Sequence, residues 1–147
     1  MTNRQARQAF TAGEVVSPLT GMSKVPKKTW TSVQWGPGDD DHLELNSVLV
    51  YSNHSCSPNV AVDVSSPKPN DWHFRALKDI SSGDYLTFFY PSTEWDMTQG
   101  FDCNCKEKNC LKLIQGAKYL TRAQVEERGF INSHISQLME LRDLVEL

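Results

Sequence analysis

The feature that most constrains this chain is the spacing of its cysteines. The sequence has four, and Cys103, Cys105 and Cys110 lie together on one segment of eight residues. Three thiolates so close together, with Cys56 as the remaining cysteine, match a structural zinc site, in which four ligands form a tetrahedron. The alternative is four unrelated thiols. We favour zinc, which would tether the C-terminal part of the chain to the segment around Cys56.

The composition is that of a globular protein. With 147 residues the chain is long enough for one domain with a hydrophobic core. It contains no apolar run of membrane-spanning length, and Met1–Phe10 lacks the apolar stretch of a secretory signal. We therefore expect an intracellular protein, cytoplasmic or nuclear, in which disulfides are rare. A net charge of −3 provides no broad attraction for nucleic acid, so we expect no direct nucleic-acid or membrane partner.

The apolar pattern predicts a mainly β chain. Alternation predicts strands at Val60–Val64 and Trp72–Ala76, and aromatic content predicts a buried strand at Tyr85–Tyr90. Leu43–Tyr51 fits either a strand or a short helix. Residues 1–28 carry little pattern and are expected to form an arm or loop.

Short helices are predicted after the last cysteine. Thr121 and Gln124 have the spacing of a capping box, which marks the start of a helix. A final helix is predicted from residues that share one apolar face. These are Ile135, Leu138, Met139 and Val145. We expect this face to pack on the body of the protein.

Three motifs occur in a fixed order along the chain. The first is Asn53-His54-Ser55-Cys56-Ser57-Pro58-Asn59, which alone would fit a polar turn before a strand. The second is Gly83–Tyr90 (GDYLTFFY), and the third is the Cys-x-Cys-x4-Cys segment. Together they resemble the two signatures of SET domains and the post-SET zinc motif. The stretch Phe88–Met97 (FFYPSTEWDM) also resembles a group of small fungal SET-like proteins.

The resemblance implies a SET-type fold of several small sheets, followed here by short C-terminal helices. In that fold the two signature segments thread together as a pseudoknot, an exception to the usual avoidance of threading. We expect a SET-like core at residues 29–100, truncated on its N-terminal side. Residues 101–147 would form the post-SET zinc segment and the C-terminal helices.

The resemblance also implies the site residues. In SET methyltransferases, S-adenosylmethionine and the target lysine enter from opposite faces and meet in a narrow channel. By motif position, Asn53 and His54 would contact the donor, Tyr90 would be catalytic, and Cys56 would join the post-SET zinc. The aromatic residues of the second motif are candidates for lining the channel. These are Tyr85, Phe88 and Phe89, although Tyr85 fits a core position equally well and for Phe88 we favour the core.

The chain departs from the SET pattern before Asn53. The family's Gly-x-Gly strand, which helps to hold the donor, has no match there: Gly36-Pro37-Gly38 has the spacing but sits in a turn, too close to the first motif. Val50-Tyr51-Ser52 also replaces the usual lead-in. Three functions therefore stay open. The first is a lysine methyltransferase. The second is an enzyme without a donor, such as a cofactor-free cyclase of secondary metabolism that orients a small molecule. The third is a non-catalytic binding module. Glu94, Trp95 and Asp96 are candidates for bordering a pocket in any of them.

Overall fold

The computed structural model describes residues 4–145, and short strands dominate this part of the chain. The strands are β1 Val15–Pro18, β2 Ser23–Val25, β3 Ser32–Gln34, β4 His42–Glu44, β5 Asn53–His54, β6 Val60–Asp63, β7 His73–Ala76, β8 Thr87–Phe88, β9 Phe101–Asp102 and β10 Leu113–Ile114. The helices are α1 Arg122–Glu126 and α2 Ser133–Val145. Single 3-10 turns occupy Val48–Tyr51, Pro69–Asp71, Tyr90–Ser92 and Ala117–Tyr119. Within the described residues no helix has the length and apolarity needed to cross a membrane.

One antiparallel sheet has the order β1-β7-β6. Val60 pairs with Ala76 and Val62 with Phe74, and the four side chains are buried. Successive residues of a strand point to opposite faces, so this alternation places one face of the sheet on the core. The strands predicted around Val60 and Phe74 are therefore confirmed.

A second antiparallel sheet has the order β2-β4-β3. Its central strand, β4, begins the Leu43–Tyr51 segment, for which a strand and a short helix were both open. The segment contains both, because the chain turns at Asn46, which has a φ of 55°. A 3-10 turn then begins at Val48, where the Ser47 hydroxyl accepts a hydrogen bond from the Leu49 N–H at 3.3 Å.

Strands β5 and β8 form a parallel pair in which Asn53 lies opposite Thr87 and His54 opposite Phe88. The two motif segments that the resemblance predicts to thread together are thus neighbours. The predicted Tyr85–Tyr90 strand is shorter than expected. Tyr90 begins a 3-10 turn with Pro91 as its next residue, and proline cannot donate a ladder hydrogen bond.

Residues 4–28 differ from the predicted arm or loop. They contain β1 and β2, and Ala6 and Leu19 are buried in the core. Phe10 and Ile80 exchange two backbone hydrogen bonds of 2.8 Å, which attach this segment to the chain before β8. The strands have only four and three residues, too short to show a period, and their partners lie far away in sequence.

The buried side chains form two clusters. The first includes Leu43, Val62 and Phe74 and is enclosed by the two three-stranded sheets. The second includes Cys56, Ile135 and Met139 and lies between the zinc-type loop and the C-terminal helices. In α2 the predicted apolar face is buried at Ile135 and Met139, whereas Val145 is 86% exposed because the helix ends beyond the core. The boundary at residue 100 stays a prediction.

Candidate metal centre and adjoining aromatic site

The four cysteines come from two distant segments. Cys56 follows β5 in the turn that leads into β6, whereas the other three lie on the loop between β9 and β10. That loop turns sharply at Lys106 and Lys112, whose φ angles are 62° and 71°. Its base is closed by the antiparallel pairing of Phe101 with Ile114. The loop is thereby folded back on Cys56.

The four Sγ atoms lie within 4.8 Å of one another. The sulfurs of Cys56 and Cys103 are 4.0 Å apart, too far for a disulfide. A tetrahedron with Zn–S bonds of about 2.3 Å has sulfurs about 3.8 Å apart. The arrangement is therefore compatible with zinc binding and uses every cysteine of the chain.

Backbone N–H groups also point at these sulfurs. The Leu111 N–H donates to Cys56 Sγ and the Cys105 N–H to Cys103 Sγ, both at 3.4 Å. The Asn109 side-chain amide donates to the Cys56 carbonyl at 3.0 Å, which joins the loop to the first motif. Burial raises the pKa of both Cys56 and Cys103. The N–H donors of Leu111 and Cys105 act against this effect, because a hydrogen bond to sulfur stabilises the thiolate, as expected around a tetrahedral metal site.

His54 connects the cysteine cluster to the aromatic residues. Its Nδ1 accepts a hydrogen bond from the Tyr90 N–H at 3.2 Å, and its Nε2 lies 3.5 Å from Cys56 Sγ. Burial, followed by the charge of Arg128, lowers the pKa of His54 to about 4. The ring is therefore neutral, with the proton on Nε2 facing the sulfur. Both ring nitrogens have partners within the protein. Any contact between His54 and a methyl donor would therefore involve the backbone of His54 or the face of its ring.

Tyr90 lies half-buried at the end of the parallel pair. Its hydroxyl donates to the Ser52 carbonyl at 3.0 Å, which ties it to the residue before Asn53. Burial, and secondarily the charge of Glu94, raises the pKa of Tyr90. The phenol therefore stays protonated at neutral pH and acts as a hydrogen-bonding group.

The rings around Tyr90 pack closely. Phe88 lies 4.7 Å from Tyr90 between ring centroids and belongs to the first buried cluster. Phe89 belongs to the second cluster and lies 5.5 Å from His54. Phe101, which the sequence did not single out, lies 5.5 Å from His54 and 6.0 Å from Tyr90. Its position two residues before Cys103 is the one signal that pointed to it. Tyr85 is 52% exposed.

Ser52 adds an unusual feature next to Asn53. Among the described residues, its hydroxyl is one of few buried side-chain oxygen or nitrogen atoms without a hydrogen-bond partner. The residue itself is 2% exposed. A buried hydroxyl without a partner is costly, and sites for ligands are one place where such groups persist.

The acidic segment after Tyr90 is partly structural. Glu94 Oε2 accepts hydrogen bonds from the Gln34 N–H at 2.9 Å and the Thr93 hydroxyl at 2.7 Å, so it fastens β3 to the turn that contains Tyr90. Burial raises the pKa of Glu94 to about 7.

Trp95 lines an open cavity of 460 Å³ beside α2. Another cavity, of 340 Å³, lies against Arg4–Gln8, and neither of these two is lined by Tyr90 or His54.

Comparison with known proteins identifies the family. The family model of the SET domain matches residues 5–91. A protein of Aspergillus flavus described as methyltransferase flvH is 47% identical over 133 residues, which are 89% of this chain and 70% of that protein.

Two longer relatives are similar over part of the chain. A histone-lysine N-methyltransferase of Candida albicans, H3 lysine-36 specific, is 33% identical over 84 residues, 52% of this chain and 9% of that protein. The histone-lysine N-methyltransferase mes-4 of Caenorhabditis elegans is 31% identical over 88 residues, 53% of this chain and 10% of that protein. The matched segment of this chain thus spans about a tenth of the length of each of these two relatives. The match of the family model over more than half of the chain and the small sheets of the fold lead to one conclusion: the protein belongs to the SET domain family.

Proposed function

We propose that Cys56, Cys103, Cys105 and Cys110 bind one structural Zn²⁺. The support is the clustering of all four sulfurs within 4.8 Å and the backbone donors that face them. Four thiolates leave no position for water or substrate, so the ion would stabilise the fold and take no part in catalysis. We therefore also propose that residues 101–147 form a post-SET zinc segment followed by the C-terminal helices.

Metal analysis of freshly purified, reduced protein tests the zinc proposal. We expect about one zinc per chain, as in other four-cysteine structural sites. Cobalt substitution should produce the absorption of a tetrahedral thiolate complex, which an octahedral site with oxygen ligands would not give. Protein that is folded and reduced yet free of metal would contradict the proposal.

We further propose that the protein transfers a methyl group from S-adenosylmethionine to a lysine amine. The observation that carries this proposal is the parallel pair β5–β8, which brings the Asn53-His54 motif beside Tyr90. The names of three relatives, all methyltransferases, agree with it. The protein substrates named for two of them are histones; for this chain we propose a lysine side chain of a protein.

The residues that would hold the donor lie in β5 and immediately before it. Asn53 and the unpartnered Ser52 hydroxyl are the groups of this chain best placed to meet it, and Phe101 offers a ring face nearby. When bound, S-adenosylmethionine supplies an electrophilic methyl group. The protein residues must bind it, exclude water and orient the amine that attacks.

The amine must first lose its proton to solvent, because it attacks through its lone pair. A free lysine has a pKa of about 10.4, so at neutral pH nearly all of it is ammonium. Apolar surroundings disfavour the charged form, and the rings of Phe88, Phe101 and Tyr90 supply such surroundings. The Tyr90 hydroxyl, protonated and held by the Ser52 carbonyl, could then accept a hydrogen bond from the neutral amine and fix the direction of its lone pair.

Calorimetric titration with S-adenosylmethionine, and with its demethylated product, tests donor binding directly. Micromolar binding that is lost in Asn53→Ala would support the proposal. The close packing of rings around Tyr90 favours, as a second candidate, a SET-derived protein that does not use the donor. Zinc-loaded, folded protein that binds neither compound would favour that second candidate. A radiolabelled donor with histone peptides and small amines then identifies which amine accepts the methyl group.

A further inference from the structure

Arg128 is a buried cation whose charge lacks a buried partner among the described residues. Its side chain is 3% exposed. The carboxylate that contacts it, at 3.0 Å, belongs to Glu127, whose side chain is 64% exposed. The Arg128 Nε is buried and has no hydrogen-bond partner. A buried charge whose only carboxylate partner is exposed to solvent is poorly compensated, so the position of Arg128 requires an explanation.

The contacts of Arg128 lead to the cysteine cluster. Its guanidinium donates to the carbonyl of Asn109, the residue immediately before Cys110, and at 2.7 Å to the carbonyl of Gln124 in α1. The Asn109 side chain in turn donates to the Cys56 carbonyl. On its other side the guanidinium lies 5.5 Å from the centre of the Phe89 ring, a cation–π distance. Arg128 thus lies between the zinc-type loop and the residue before Tyr90.

The proposed metal centre carries charge of the opposite sign. Zn²⁺ has two positive charges and four thiolates have four negative charges, so the complete centre has a net charge of −2. The lysines of the loop, such as Lys108, are exposed to solvent, which screens their attraction. At the same distance, a buried cation attracts the centre far more strongly than an exposed cation does, because less water lies between the charges.

We propose that Arg128 is the counter-cation of the zinc–thiolate centre. This inference rests on the zinc proposal above and extends it to a residue outside the motifs. Neutralising part of the −2 charge favours the four-thiolate complex over protonated, metal-free cysteines. The same guanidinium stacks on Phe89, so the charge also fastens the metal loop to the strand that leads to Tyr90.

The test measures the zinc dissociation constant by competition with a chelator of known affinity. The variants are Arg128→Met, which removes the charge, Arg128→Lys, which keeps it, and Lys108→Met, which removes an exposed charge from the same loop. We expect Arg128→Met to weaken zinc binding by about ten- to a hundredfold, the usual effect of losing a partner of metal ligands. Arg128→Lys should remain close to the parent protein, and Lys108→Met should have the parent's affinity.

Each outcome has one meaning. If the parent protein holds no zinc, the zinc proposal fails, and the counter-cation falls with it. If the parent holds zinc and Arg128→Met binds it equally well, the counter-cation alone is refuted. Equal losses in Arg128→Met and Arg128→Lys would refute the role of charge and assign Arg128 to packing. If Arg128→Met does not fold, Arg128→Gln replaces it as the neutral variant, with the same expected loss.

Discussion

The hydroxyl of Tyr90 is a single oxygen on which the proposed chemistry depends. In Tyr90→Phe the ring stays in its cluster with Phe88 and Phe101, but the hydrogen bond to Ser52 is lost. We expect methyl transfer to fall by about a hundredfold, because the amine is no longer oriented. The unfolding free energy should fall by only about 1 kcal/mol, the typical effect of losing one hydrogen bond. Initial rates with radiolabelled donor and thermal melting measure the two effects.

The control is Tyr119→Phe. Tyr119 is 51% exposed, and its hydroxyl donates to Asp96 at 2.9 Å. This variant also removes one phenolic hydroxyl and one hydrogen bond, but in the cavity beside α2, which neither Tyr90 nor His54 lines. It should retain the parent's rate. If Tyr90→Phe keeps full turnover, Tyr90 has no part in the reaction.

Glu94 makes stability depend on pH. Its pKa is about 7 in the folded protein, raised from the ordinary value of 4.5 by burial. The folded state therefore binds this proton more tightly than the unfolded chain does. Its contribution to stability is complete below about pH 4.5 and is lost as the pH rises through 7.

Glu94→Gln isolates this contribution. The amide oxygen can still accept from Gln34 and Thr93, but it carries no charge at any pH. We expect the melting temperatures of variant and parent to be similar near pH 5 and the variant to be the more stable at pH 8. The quantity to compare is the difference in melting temperature between variant and parent at each pH. His54 and His134, whose pKa values are lowered to about 4, reduce the stability of both proteins as the pH falls below 6.5, and the difference removes their effect. A constant difference between pH 5 and pH 8 would contradict the assignment.

At the scale of elements, α2 is attached to the Tyr90 turn by buried polar side chains. Asn132, which is fully buried, donates to the carbonyls of Val62 and Ser92 at 2.8 Å and accepts from the Val64 N–H at 2.9 Å. Just after it, the His134 Nε2 donates to the Thr93 carbonyl at 2.8 Å. The segment before and within α2 therefore holds β6 and the residues that follow Tyr90.

Asn132→Ala should be strongly destabilising. It leaves three buried backbone groups without their partner, and each such group costs about 1–3 kcal/mol. We expect the unfolding free energy to fall by about 3–5 kcal/mol in urea denaturation. Asn70→Ala, at an exposed position in the Pro69–Asp71 turn, should change it by less than about 0.5 kcal/mol. Equal stability of the two variants would show that the Asn132 contacts contribute little.

Elements with a regular local pattern were predictable from the sequence, and those without one were not. The Thr121–Gln124 capping box is present with both of its hydrogen bonds, because it depends on residues three apart. Strands β6 and β7 show the two-residue alternation of a sheet with one buried face. Strand β1 has four residues and pairs with β7, nearly sixty residues later, so its position depends on contacts that no local pattern records.

The same distinction applies to the site. Spacing grouped Cys103, Cys105 and Cys110, and Cys56 was added as the remaining cysteine, because zinc prefers four ligands. The fold brings these four together. Asn132 and Arg128 belong to common polar residue types, and their positions became informative only through contacts with distant strands and loops. Glu94 was a candidate for bordering a pocket, but its attachment of β3 to the Tyr90 turn depends on a contact that no local pattern records. Motifs reveal groups that carry distinctive chemistry, whereas the side chains that hold those groups in place depend on the assembled fold.

At the scale of the whole molecule, the proposed zinc joins the two buried clusters. Cys56 leads directly into β6 of the first cluster, and the loop with the other cysteines borders the C-terminal helices of the second. Without metal, four sulfurs within 4.8 Å would lose the attraction that holds them together. Binding energy at such a site contributes directly to folding. Removing one ligand should therefore affect the entire protein.

Cys105→Ser tests this coupling. Cys105 is only partly buried, so the change removes a thiolate without opening a cavity in the core. We expect the zinc content to fall and the melting temperature to drop by at least about 10 °C. In a protein of this length, each 1 kcal/mol of unfolding free energy lost lowers the melting temperature by about 2–4 °C. Cys105→His is the matched control, because three cysteines and one histidine also bind structural zinc. It should recover part of both losses. A serine variant that melts like the parent would show that the two clusters hold together without the metal.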